Sequence, residues 1–131
     1  MKNAFTMIEL IFVIVILGIL SSVAIAKFKK VSDDAEYVKC KAYIDVLNRT
    51  VGTSIWTDAY FNDKANIGTS VTAIKLDAQI DTPSECGTSS VYATVATNNS
   101  SVIQTISGTD YNISGIAPTD ESAPSWTITK Q

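Results

Sequence analysis

Residues Phe5 to Ala26 form an apolar run of 22 residues, interrupted by one carboxylate, Glu9, and by the hydroxyls of Thr6, Ser21 and Ser22. As a helix this run spans about 33 Å, enough to cross a bilayer core of about 30 Å. Its apolar side chains fall on every face, which excludes the surface helix of a water-soluble domain. Lys2 precedes the run, and Lys27, Lys29 and Lys30 mark its exit into water. An ionised carboxylate in hydrocarbon is costly, so Glu9 is a candidate functional residue and not a plain part of an anchor. The first turn of a helix favours negative charge, yet nothing else between Phe5 and Ala26 is charged and able to pair with it.

Beyond Ala26 the chain changes character and becomes rich in Thr, Ser, Asn and Asp. Its 131 residues leave room for one small domain behind the apolar segment. The formal net charge is −3 and no basic patch runs along this part, so nucleic-acid binding is not expected. His is absent, which removes the commonest general base, the commonest metal ligand and the usual partner of a catalytic Ser or Cys. No phosphate-binding Gly loop, nucleophile elbow or paired-carboxylate constellation can be placed. The expectation is a non-enzyme with no cofactor and no metal. The acidic pairs Asp77 with Asp81 and Asp120 with Glu121 lack the spacing of a calcium loop and read as solvated surface charge.

From Lys27 to Val51 there is neither Pro nor Gly, so the helix is expected to continue. Tyr37, Cys40, Ile44, Leu47, Val51 and Ile55 recur at three- and four-residue spacings and form one apolar stripe ready to receive a sheet. Gly52 and Thr53 mark the expected end, at about residue 55. Residues 56–70 then read as a loop. Val71 to Leu76, Val91 to Ala96, Val102 to Ile106 and Trp126 to Thr129 read as strands, with a short one at Tyr111 to Ile113. The expected fold class is α+β: a long N-terminal helix, half apolar all round and half amphipathic, against an antiparallel meander of three to five strands. Trp126 and Trp56 are expected to pack in the interior.

Cys40 and Cys86 belong to no CxxC pair. Outside the cytoplasm a disulfide between them is allowed; it would close a loop of roughly 45 residues and contribute about 3–4 kcal/mol. Two buried free thiols fit the residues as well.

Ala4-Phe5-Thr6-Met7-Ile8-Glu9-Leu10 resembles the processing site of type IV prepilins and of type II secretion pseudopilins. The resemblance is close over the leader and the first 25 or so following residues, and holds only in outline beyond them. It implies a leader of residues 1–4, cut by prepilin peptidase between Ala4 and Phe5, and N-methylation of Phe5. It implies a transmembrane and assembly segment of residues 5–26, and a periplasmic or surface domain of residues 27–131. Glu9 then occupies the family's glutamate position and is expected to pair with the Phe5 amine of a neighbouring subunit during assembly. The implied function is a structural subunit of a type IV pilus (fimbrium) acting in adhesion, motility or DNA uptake, with a type II secretion pseudopilin as the alternative. The implied partners are copies of the same chain in a helical filament, other pilins, the peptidase and the bacterial inner membrane. Ala4 stands where the family usually has Gly, and Ala26 where many pilins have Pro. Gly18 with Ser21 and Ser22 has the small-residue spacing that lets membrane helices approach closely.

Other readings of the same residues exist. Ala24-Ile25-Ala26 is also a small-x-small site of the kind cut by the general signal peptidase, which would release Lys27 to Gln131 as a secreted protein. Counting lysines on the two flanks does not favour export of the C-terminal part; that expectation rests on the resemblance. Asp110-Tyr111-Asn112-Ile113-Ser114 resembles the extended bacterial N-glycosylation sequon, making Asn112 a candidate acceptor, although Asp, Asn and Ser equally suit a turn.

Overall fold

Helix α1 runs Met7–Val46 without an internal proline. It belongs to a computed structural model that describes residues 5–131, in which the chain divides into two units, one reaching to Asp34 and one covering Ala35–Gln131. In the first unit every described residue is exposed except Asp33, which is half-buried. All the large apolar side chains from Phe5 to Val31 face outward. The two serines within the apolar stretch are satisfied by the helix itself: Ser21 Oγ donates to Leu17 O at 2.6 Å and Ser22 Oγ to Ile19 O at 2.8 Å.

The second unit is built on the stripe read from the sequence. Cys40, Ile44, Leu47, Val51 and Ile55 are buried, with Tyr37 half-buried. The helix does not stop at Gly52. It passes through a π-helical turn at Leu47–Val51 and continues as α2, Gly52–Asn62. The reason lies in the spacing. Leu47, Val51, Ile55 and Ala59 are all four apart, which drifts around a regular α-helix; the wider π turn absorbs part of that drift and keeps the stripe facing the core. Gly52 is helical, with φ −61° and ψ −41°. It is a glycine for closeness: a Cβ there would lie 2.8 Å from Trp126 Cζ3.

Two of the expected strands are helices. Ala73–Asp77 forms α3, started by Thr72, whose Oγ1 accepts from Lys75 N at 3.3 Å. Ser89–Asn98 forms α4 and buries Ser89, Tyr92, Ala93, Val95 and Ala96. The spacing of Ser89, Tyr92, Ala93 and Ala96 is that of a helix face, and here it overrides the β preference of Val91, Thr94 and Val95. The expected loop at 56–70 is the end of α2 followed by a 3-10 segment, Lys64–Thr69.

The sheet has three antiparallel strands in the order β1 (Ser101–Ile106), β2 (Thr109–Ile116), β3 (Ser125–Lys130). Ser107 and Gly108, both at positive φ, make the two-residue hairpin turn between β1 and β2. Tyr111, Ile113 and Gly115 of β2 face the interior. A Cβ on Gly115 would sit 2.6 Å from Ala96 N, so this glycine is what lets α4 lie directly on the central strand. The layout is α+β, a helix against a small antiparallel sheet.

Side-chain contacts tie the helix to the rest of the second unit. The Asn48 side-chain amide pairs with the outer edge of β3: its Nδ2 donates to Trp126 O at 2.9 Å, and its Oδ1 accepts from Trp126 N at 2.8 Å. It stands where a fourth strand would bond. The Trp126 ring is buried and its Nε1 donates to Tyr92 O at 2.8 Å. On the other side, Cys40 of α1 and Cys86 of a 3-10 turn, Ser84–Cys86, are joined by a disulfide and fully buried. Ile106 and Tyr111 cover it, and the Tyr111 ring stacks on Tyr37 at 4.8 Å. Next to it, Lys39 Nζ donates to Glu85 Oε1 at 2.9 Å, which holds the Glu85 carboxyl below its usual range; being exposed, this ion pair contributes little.

Replacing both cysteines by Ala is expected to lower stability by about 3–4 kcal/mol, the range for a closed loop of this length. Urea unfolding of the detergent-solubilised chain, with and without reductant, measures it. Asn48→Ala leaves a backbone N–H and C=O of Trp126 without their partner and is expected to cost about 1–3 kcal/mol. An unchanged urea midpoint for Asn48→Ala would refute the edge-closing role.

Candidate functional site

The one carboxylate of the apolar run lies at the start of the helix. Thr6 immediately precedes α1, and Glu9 is the third residue inside it. The Thr6 N–H and hydroxyl both donate to Glu9 Oε2, at 3.1 and 3.0 Å, while the Glu9 N–H points back to Thr6 Oγ1 at 3.4 Å. This is a reciprocal capping box: a Thr before the helix and a Glu three residues on satisfy each other's backbone donors. Leu10 N donates to Thr6 O at 3.3 Å and closes the first turn. The carboxylate therefore sits over the helix N-terminus, where the peptide dipoles favour it. Among the described residues no cation forms an ion pair with it. Phe5, one residue before the box, is 86% exposed. Ala4, the expected residue before the cut, lies outside the described residues.

Sequence reasoning singled out Phe5 and Glu9 and missed Thr6. The signal was present as Thr6-Met7-Ile8-Glu9, the S/T-x-x-E pattern of a helix start. The capping box gives Glu9 a polar environment without calling on any charged group. Around it, the exposed apolar helix far exceeds any patch a soluble monomer leaves in water. Its length and composition suffice to cross a membrane.

The remaining candidates lie in the second unit. Cys40 and Cys86 are bonded to each other and out of contact with solvent. Asn112 is in the central strand, half-buried, between Ile103 of β1 and Thr129 of β3. The flanking Asp110 accepts from Thr105 Oγ1 at 2.7 Å, and Ser114 shares a 2.6 Å bond with Thr127. The sequon is thus held in a paired ladder rather than in a turn. Asp77 accepts from Ser89 at 2.9 Å, and Asp120 pairs with Lys64 at 3.4 Å. Among the described residues no three His, Cys, Asp or Glu side chains gather as metal ligands would. Trp56 is half-buried, with its Nε1 donating to Thr119 O at 2.7 Å.

Comparison with curated proteins finds no match, and comparison with solved structures finds none either. A family model, the prokaryotic N-terminal methylation motif, matches residues 1–25. The matched residues take in the capping box and nearly all of the apolar run, and leave the second unit outside. The chain thus carries at its N-terminus the prepilin signal of type IV pilins and pseudopilins.

Proposed function

We propose that this chain is a structural subunit of a type IV pilus or pilus-like filament. Prepilin peptidase cuts between Ala4 and Phe5, the new Phe5 amine is methylated, and the apolar helix holds the subunit in the inner membrane until assembly. In the filament the same helix is covered by its copies. Glu9 meets the Phe5 amine of a neighbour, an ion pair that fixes register because either charge left unpaired in a water-poor bundle is expensive.

The observation that carries this reading is the placement of Glu9: a carboxylate with no cation partner among the described residues, heading an apolar helix exposed on every face, within residues matched by the methylation motif. A general signal sequence ending at Ala26 gives that carboxylate no role. The buried Cys40–Cys86 bridge suits the oxidising periplasm and exterior alike, and a secretion pseudopilus is the second reading.

Intact mass and N-terminal sequencing of the protein from sheared surface and membrane fractions are expected to give a chain beginning at Phe5 and carrying one added methyl group. A chain beginning at Lys27 overturns the proposal. Glu9→Ala is expected to leave membrane insertion and cleavage intact and to abolish filaments seen by electron microscopy; filaments of normal number and length would remove Glu9 from assembly.

A further inference from the structure

Where the apolar run of α1 ends, the helix carries two bands of opposite charge: Lys27, Lys29 and Lys30, then Asp33 and Asp34. All are exposed except Asp33, which is half-buried. Among the described residues none of the five has an ion-pair partner; the ion pairs that form are Lys39–Glu85, Lys64–Asp120 and Lys75–Asp58. Lys30 and Asp34 stand one turn apart on the same helix, but Lys preceding the acid is the weaker order for such a pair, and no bond joins them. A second copy of this helix, lying parallel and slightly displaced, offers each band its opposite.

We propose that in the filament Lys30 of one subunit pairs with Asp34 of a neighbour displaced by four residues along the helix axis. This rests on the reading above that Glu9 receives a neighbouring Phe5 amine, and it extends that contact into a seam. Phe5 to Glu9 is a step of four residues (9 − 5), and Lys30 to Asp34 is the same step (34 − 30). One displacement of about 6 Å along the helix brings Lys30 level with Asp34 and carries Phe5, two residues before α1, toward Glu9.

The two acids also share a side of the helix. Within α1, Glu9 and Asp34 are separated by 25 residues (34 − 9), which at 3.6 residues per turn falls within about 20° of seven whole turns. Asp34 thus lies on the Glu9 face. Lys29 and Asp33 have the same spacing but point about 120° away, out of this seam. The coincidence holds only if the helix is unbroken between the pairs. α1 contains no proline there, and Gly18 is the sole glycine.

Surface ion pairs are weak one at a time. A reversed charge, however, repeats a like-charge contact at every subunit of a filament, so yield and register are the sensitive readouts. Lys30→Glu and Asp34→Lys are each expected to reduce sheared filament several-fold, and the double variant to recover most of it. Contact is tested separately by co-expressing full-length Lys30→Cys and Asp34→Cys chains and oxidising the filaments. The native cysteines are both spent in their buried bridge and do not compete. The mixture is expected to give abundant disulfide-linked dimer, and each variant alone little. No excess of dimer in the mixture, or charge reversals that leave the yield unchanged, overturns the proposal. If either occurs while Glu9→Ala still abolishes filaments, only this seam falls. A chain that is never cut at Phe5 and builds no filament removes the functional reading beneath it.

Discussion

A helix that is apolar on every side cannot stand bare in water. From Phe5 to Val31 the large side chains all point outward, so the first unit demands a surrounding of lipid or of other helices. The polar side chains within the apolar run are arranged to tolerate such surroundings. Ser21 and Ser22 turn their hydroxyls onto the helix's own carbonyls, and Glu9 folds back onto Thr6. Backbone and side-chain polarity is internalised before any partner arrives, as hydrocarbon requires.

The second unit solves the opposite problem, how a small sheet of three strands gains a core. It borrows one wall of that core from the helix. Tyr43, Ile44, Leu47, Val51 and Ile55 form one wall, and Tyr92, Val95, Ile113 and Trp126 the facing one. Two glycines set the spacing between layers, one under Trp126 and one under α4. The π turn keeps a four-residue repeat in line, and Asn48 projects from that turn to close the strand edge at Trp126.

The helix and its stripe were legible because their signal is periodic and long, and the outer two strands because β-branched residues gather in them; the central strand, Thr109–Ile116, was read only as a short piece at Tyr111 to Ile113. The Tyr37–Ile55 stripe spans five turns of helix, and Val102–Ile106 alternates only roughly. The failures were local contests. At Val91–Ala96 and Val71–Leu76 short runs of β-branched residues read as strand, while the residues that decide the packing, Tyr92, Ala93 and Ala96 with Gly115 opposite, follow helical spacing. Gly52 read as a stop because a glycine near the end of a helix usually is one; only the position of Trp126, far away in sequence, shows that it is there for room. At the candidate site the charged residue was visible and its hydroxyl partner was not. Thr6 looked like one more tolerated polar atom in an apolar run.

The capping box gives the N-terminus a further property. A carboxylate that already accepts from a hydroxyl and an amide of its own chain is not an empty socket. Any cation that takes Glu9 displaces or shares those bonds, so docking there is an exchange, and its net gain is the difference between two satisfied states. An exchange of that kind runs in both directions at modest cost. If a neighbouring amine takes Glu9 as proposed, its departure would let the carboxylate return to Thr6 instead of leaving a bare charge in hydrocarbon.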